Sequence, residues 1–223
     1  DLTVAVQGFG NAGAAAAKLL HSAGYTIVAV SDSQGTLYNP SGLDPVSIEK
    51  AKFERKSVTG LYCEEGVCET AAMERDGAQV LGQEAVLSVA CDVLIPAALD
   101  NAIHKENVAS VQAKVVLELA NNPTTPEADA SLYARGVTIL PDVLANAGGV
   151  TVSYFEWVQN RQQYYWELHE VQEKLKRQMV TAFGDLKDLV LEKGISYREA
   201  AYQIGVGRIA EAMQLKGHFS VQD

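Results

Sequence analysis

Long apolar runs are missing from this sequence: none reaches the roughly 18 residues that a membrane span requires, and the N-terminus lacks the basic and apolar regions of a signal peptide. A cytoplasmic location and no membrane partner are therefore expected. Positive charge is scarce as well. Eighteen Lys and Arg stand against 28 Asp and Glu, a net charge of -10, and no extended basic run occurs, which argues against a nucleic-acid partner. Cysteine is limited to Cys63, Cys68 and Cys91. An odd count excludes a complete disulfide framework and predicts reduced thiols, although the Cys63/Cys68 spacing leaves open a small closed loop or a metal pair. With no histidine or third cysteine near that pair, no metal site is expected. The four histidines, His21, His104, His169 and His218, are scattered, which suggests surface or helix-cap roles. Repeats and low-complexity tracts are absent too. What remains is 48% hydrophobic over 223 residues, enough for one sizeable core or one domain with an appended subdomain.

The densest local signal is Gly8-Phe9-Gly10-Asn11-Ala12-Gly13, set between a short apolar run (2–6) and an alanine- and leucine-rich stretch. This G-x-G-x-x-G at a strand-to-helix junction is a dinucleotide-binding pattern: the first glycine allows a tight turn, the second a close approach of backbone to pyrophosphate, and the third close helix packing. A helix from about Asn11 to Ala23 would aim its unpaired N–H groups and positive dipole end at the phosphates. Thr26 to Val30 reads as a second buried strand, with Asp32 just past its end, where a ribose-binding acid is expected.

Further along, Ser33 to Asp44 reads as a loop from its turn residues, and Pro45 to Lys56 as a helix. Residues 57–84 carry no sustained period beyond a possible short strand near Val80. Short apolar strands are expected at Asp92 to Ile95, Lys114 to Leu119 and Val137 to Leu140, with helical patterns between and after them. Thr125, Pro126 and Glu127 mark one helix start. After Gly149 the pattern is helical alone: a long amphipathic helix through Leu168, Leu175, Leu186 and Leu189 ending at Gly194, then a last helix opened by a Ser196/Glu199 capping box and reaching about Gln214. The fold class is α/β: a Rossmann-type doubly wound, mostly parallel sheet with helices on both faces and a C-terminal helical extension. Residues 1–150 would form the dinucleotide-binding core and residues 151–223 the helices packing on it.

Ligands of open α/β sheets bind beyond the carboxyl ends of the strands. There the sequence places Pro96-Ala97-Ala98, small enough for a ribose or pyrophosphate to lie against backbone, and Asn121-Asn122-Pro123, whose amides suit ribose hydroxyls or a carboxamide. Each segment also reads as an ordinary turn.

Four motifs together resemble the cofactor-binding domain of the glutamate dehydrogenases, within the Glu/Leu/Phe/Val dehydrogenase family: Gln7 to Asn11; Ser31-Asp32-Ser33-Gln34-Gly35 with Tyr38-Asn39-Pro40 and Gly42; Glu118 to Thr124; and Pro141 to Trp157. The resemblance implies NAD, with NADP possible, as cofactor. Gly8, Phe9, Gly10, Asn11 and Ala12 would meet the pyrophosphate, Asp32 and Ser33 the adenosine ribose, and Ala97, Ala98 and Asn121 would line the ligand edge toward the nicotinamide half. Asn146 would bind the carboxamide, and Val150 and Ser153 would help form the glutamate pocket. It also implies reversible oxidative deamination of L-glutamate to 2-oxoglutarate and ammonia, in a full-length homo-oligomer. The family's catalytic lysine and aspartate lie on an N-terminal substrate domain, whereas this sequence opens directly on its first strand. The expectation is a chain that binds cofactor and alone does not catalyse. A stand-alone nucleotide-sensing module and the cofactor domain of a leucine, phenylalanine or valine dehydrogenase are the alternatives.

Overall fold

Along β1 (Thr3–Gln7), Val4 and Val6 enter one apolar cluster with Ile27, Val30 and Ile95, while Ala5 enters the other with Ala29, Leu94 and Val116. Side chains alternate across a strand, so this strand is buried on both faces and helices must cover both. The computed structural model describes residues 2–64 and 67–216. After β1 come α1 (Asn11–Ser22), β2 (Thr26–Asp32), β3 (Gly35–Tyr38), α2 (Pro45–Arg55), β4 (Cys63–Glu64), β5 (Val67–Cys68), α3 (Thr70–Asp76), β6 (Gln79–Leu81) and β7 (Val93–Pro96). They are followed by β8 (Val115–Leu117), α4 (Pro126–Ala134), β9 (Thr138–Leu140), α5 (Asp142–Ala145), α6 (Ala147–Gln162), α7 (Leu168–Lys193) and α8 (Tyr197–Leu215). Two compact units result, Asp1–Asp142 and Val143–Asp223. They part ahead of the residue-150 division read from the sequence.

The first unit is built on a seven-stranded sheet of order β6-β3-β2-β1-β7-β8-β9. Strands β2, β1, β7, β8 and β9 run parallel, and β3 is antiparallel to both β2 and β6. Ala14 and Ala17 of α1 and Ile48 of α2 pack on one face, and Ala128 and Leu132 of α4 on the other. Thr125 opens α4 as expected, its hydroxyl accepting from Ala128 N at 3.3 Å.

Three expectations need correction. Residues 33–44 hold a strand, β3, whose Thr36 and Leu37 are fully buried; the turn formers around it mask a buried run of three residues, Gly35 to Leu37. The span between β7 and β8 carries no α-helix, only a 3-10 turn at Val108–Ser110. There the Asn107 side chain donates to Ala102 O and accepts from His104 N, local bonds that compete with a helix, and Arg135 reaches across to the Val108 carbonyl. Finally, Cys63 and Cys68 are not reduced but disulfide-bonded, being direct cross-strand partners in the β4–β5 hairpin. Parity excluded a complete framework but not one bridge. The remaining thiol, Cys91, is pushed up to about 11 by burial.

At the amino edge of the sheet, Asp92 ties three strand starts together. Its Oδ1 accepts from Lys114 Nζ at 2.7 Å, and its Oδ2 accepts from the backbone N and the hydroxyl of Thr3, both at 2.9 Å. The Lys114 ammonium, followed by the Thr3 donors, holds this carboxyl well below the usual range. A carboxyl depressed in the folded state contributes stability that is present above its unfolded value, about 3.9, and lost as pH falls toward its folded value. Asp92→Asn should therefore melt below the parent at neutral pH, with the gap narrowing below about pH 4. A gap of constant size in melts taken across that range would show that the charge is not the cause.

The second unit is helical. Leu144, Leu186 and Ala200 form its buried centre with Ala182, Leu189, Val190 and Ile204 around them, and the Phe183 and Tyr197 rings stack 6.0 Å apart. Gly194 ends α7 in the left-handed conformation. Ser196 opens α8 with the expected reciprocal bonds: its hydroxyl accepts from Glu199 N at 3.1 Å, and its N–H donates to Glu199 Oε2 at 3.0 Å. His218 lies outside the described residues.

Candidate functional site

The sheet order reverses at β1: the chain leaves to β2 on one side through α1 and returns to β7 on the other. At such a switch point the loops after the two strands diverge and leave a crevice at the carboxyl edge. Gly8 follows β1 with φ +88, and a Cβ on it would stand 2.7 Å from the Cβ of Ala98, in the loop after β7. Gly13 is tighter still, since a Cβ there would fall 1.9 Å from the carbonyl oxygen of Gly8. Gly10 differs from both, because a Cβ built on it meets nothing within 4 Å. The two outer glycines are needed by the fold, while the middle one faces open space at the N-cap of α1, which has no side-chain cap bond.

The N–H groups of Gly8 and Phe9 are not aimed at that space. Both donate to Ser31 O, at 3.1 and 2.8 Å, and the Phe9 ring is buried in the core. Phe9 and Gly8 thus fix the turn to the end of β2, and Gly10, Asn11 and Ala12, all exposed, form the rim. Asp32 is the last residue of β2 rather than the first beyond it. Its Oδ1 accepts from Gln34 N at 2.9 Å, its Oδ2 accepts from Val58 N at 2.8 Å, and Lys52 Nζ stands 3.3 Å from Oδ2. Ser33 is exposed beside it.

The next strand ends are linked in sequence. Ala97 N donates to Gln7 O at 2.8 Å, Leu119 N and Ala120 N donate to Pro96 O at 3.0 and 2.9 Å, and Glu118 N donates to Leu140 O at 3.1 Å. Two acidic side chains brace the last of these loops: fully buried Glu118 accepts from Asp142 N at 3.0 Å, and buried Asp142 accepts from Asn122 N at 2.7 Å. Asn121 is exposed at this edge, next to Asn122, whose φ of 50 is a left-handed conformation that asparagine tolerates. The first unit thus gathers the glycine loop, Asp32, Ser33, Ala97, Ala98 and Asn121 along one edge. Asn146, Val150 and Ser153 belong to the second unit, where Asn146 is the N-cap residue of α6 without capping it through its side chain, and Val150 and Ser153 are exposed one turn apart.

The sequence model of the Glutamate/Leucine/Phenylalanine/Valine dehydrogenases matches residues 1–217. The chain belongs to that family. It is 44% identical over 217 residues to the NADP-specific glutamate dehydrogenase of Synechocystis, covering 97% of this chain and 50% of that protein. It is also 44% identical over 214 residues to the cryptic catabolic NAD-specific glutamate dehydrogenase GudB of Bacillus subtilis, covering 96% of this chain and 47% of that protein. The hetero-hexameric glutamate dehydrogenase of Thermus thermophilus, in its Leu-bound form, superposes with a TM-score of 0.82 at 29% identity, over 98% of this chain and 48% of that one. This member of the family spans about half the length of the curated relatives it matches.

Three residues that brace the carboxyl edge of the sheet in this dehydrogenase-family chain escaped the sequence reading: Lys52, Glu118 and Asp142. Lys52 lies in α2, beyond β3 and the loop that follows it, so no local motif joins it to Asp32. Glu118 interrupts an otherwise apolar run, Val115 to Ala120. A charge at a position due for burial was the available signal, since carboxylates are almost never fully buried without a partner.

Proposed function

We propose that this chain is the cofactor-binding half of a glutamate dehydrogenase, and that the whole enzyme, a homo-oligomer, interconverts L-glutamate with 2-oxoglutarate and ammonia using NAD or NADP. The observation that carries this reading is the contrast within the glycine motif, where the fold itself leaves room only at Gly10. Backbone N–H groups of Gly10, Asn11 and Ala12 would hold the pyrophosphate at the positive end of α1. Asp32 and Ser33 would lie by the adenosine ribose, Ala97, Ala98 and Asn121 along the nicotinamide half, and Asn146 at the carboxamide. When bound, the nicotinamide supplies the acceptor for the Cα hydride of glutamate. Val150 and Ser153 would help form the amino-acid pocket, Ser153 through its hydroxyl to a substrate carboxylate.

Acid–base groups for the amine would come from sequence that this chain does not contain, which agrees with its spanning half of its relatives' length. Tyr202, Val206 and Ile209 of α8 share one helix face and are all exposed. Apolar stripes of this kind favour a part of a larger enzyme over a stand-alone nucleotide sensor.

Calorimetric titration of the chain with NAD and with NADP tests the reading. Binding without substrate is expected, and weak, because the nicotinamide half would have no covering domain. At ten times the dissociation constant the ligand should stabilise the fold by about 1.4 kcal/mol, a rise of roughly 3–6 °C in Tm. If neither dinucleotide gives heat or shifts the melt at millimolar concentration, the cofactor assignment is wrong.

A further inference from the structure

We propose that the Cys63–Cys68 bridge is a site of thiol–disulfide exchange with a protein dithiol, and that the state of the bridge sets how tightly the chain holds a dinucleotide. The second half of the proposal rests on the cofactor-binding reading above. The bridge joins β4 to β5, which are two residues long and form a sheet of their own. A lone two-stranded hairpin is marginally stable in water, so the covalent link carries much of its hold. Cys63 is 9% exposed and Cys68 is half-buried, which directs an incoming thiolate to Cys68 Sγ. Attack there breaks the Cys63–Cys68 bond and makes a mixed disulfide between Cys68 and the reductant, while Cys63 leaves as a thiolate and takes a proton from water. The second thiol of the reductant then displaces Cys68, which is protonated in turn. The chain has gained two electrons and two protons, and the dithiol has become a disulfide. A monothiol lacks that second step. Cys63 faces Cys68 across the hairpin, so it attacks a mixed disulfide as an intramolecular group at high effective concentration and closes the bridge again. Cys91, whose thiol is pushed up to about 11 by burial, stays protonated near neutral pH and takes no part.

The hairpin is tied to the candidate adenosine end through a 3-10 turn, Val58–Leu61, that Tyr62 alone separates from Cys63. Val58 N donates to Asp32 Oδ2 at 2.8 Å, and buried Val58 packs in one cluster with Leu61 and Tyr62. Tyr62 O accepts from Glu69 N at 2.9 Å, one residue beyond the second cysteine. Arg55 joins turn and hairpin as well, donating to Gly60 O at 2.9 Å and standing 3.7 Å from Glu64 Oε2. With the bridge closed, these contacts hold the donor that fixes Asp32. Opening it frees β4 from β5, loosens the turn behind Val58 and lets the Asp32 carboxylate and the β2–β3 turn beside it move, so the dinucleotide is bound more weakly. Linkage makes the effect reciprocal: a bound dinucleotide protects the bridge from reduction by the same factor.

The test treats the full 223-residue chain with dithiothreitol or with glutathione at equal thiol concentration, then counts thiols in denaturant and titrates NAD by calorimetry. The untreated chain should show one thiol and the dithiothreitol-treated chain three, with its circular dichroism unchanged. Glutathione should open the bridge far less. Reduction should weaken NAD by about fivefold or more, the lower end of ordinary coupling between sites. Saturating NAD should slow the opening, and the Cys63→Ser/Cys68→Ser double variant should bind like the reduced chain whatever the treatment. Three thiols before treatment, or one after dithiothreitol, would overturn the exchange site. Equal opening by glutathione would overturn the dithiol assignment, and loss of the whole fold on reduction would make the bridge a staple rather than a control. Equal NAD affinity in both states would overturn the coupling. Binding of NAD by neither state would overturn the coupling together with the cofactor reading, while the thiol counts judge the exchange site by themselves.

Discussion

Gly10→Val is expected to abolish measurable binding of both dinucleotides in a chain that still folds. A Cβ at Gly10 meets no atom within 4 Å, and its backbone, at φ -85 and ψ -163, is an extended conformation open to any residue. The cost to the fold is then the loss of a favourable N-cap residue, roughly 1 kcal/mol or less. The branched side chain would instead fill the space where backbone must approach pyrophosphate. A loss of at least about a hundredfold in affinity, near 2.7 kcal/mol, is expected. Gly13→Ala, three residues on, should fail in the opposite way. Its methyl would fall 1.9 Å from the Gly8 carbonyl oxygen, and both partners are backbone, so α1 would have to lift off β1. Overpacking of that kind costs about 1–3 kcal/mol or more, and the melt should drop by several degrees before any ligand is added. Normal affinity in a folded Gly10→Val chain would dismiss the proposed phosphate cradle. A Gly13→Ala chain as stable as the parent would dismiss the packing account.

That contrast also marks what the sequence could and could not disclose. The glycine spacing, the strand and helix around it and the capping box at Ser196 were legible because each is a local pattern with a local cause: a turn, a period or a cap. The parallel strands were legible as short apolar runs between turn residues. β3 was not, because three buried residues, Gly35 to Leu37, set among turn formers and followed by the Asn39-Pro40 pair, look like a loop until the Asp32 carboxylate, by accepting from Gln34 N, shapes the turn that folds the strand back on β2. The crossover between β7 and β8 was misread for the converse reason. Val108 and Val111 are buried three residues apart, a spacing that suits a helix, yet their carbonyls accept from the Arg135 side chain, which lies far along the chain, while Asn107 bonds the Ala102 carbonyl and the His104 N–H. Asp32 was expected by the ribose from its position alone. Its role as a clamp depends on Lys52 and Val58, which reach it only through the fold.

The largest expected effect concerns catalysis: the chain alone should give no glutamate-dependent reduction of NAD or NADP, followed by the absorbance of the reduced nicotinamide. Deamination needs a group that takes a proton from the substrate amine near neutral pH, and a positioned acid or base contributes about a hundredfold to ten-thousandfold. None of the groups proposed for the site suits that task. Asn121, Asn146 and Ser153 carry neutral side chains without an ionisation near pH 7. Asp32 is held by two backbone donors and by Lys52, and Glu118 and Asp142 are buried and accept backbone N–H groups. Hydride transfer also requires donor and acceptor within about 3–3.5 Å in a cleft closed to water, and this chain spans only half the length of its curated relatives. Joining it to a complementary N-terminal half should restore turnover from background. In that longer protein Ser153→Ala should raise KM for glutamate well above any change in KM for cofactor, because the hydroxyl is assigned to a substrate carboxylate. Turnover by the 223-residue chain itself would overturn the two-domain account, since the base would then have to be among the carboxylates assigned here to holding loops in place.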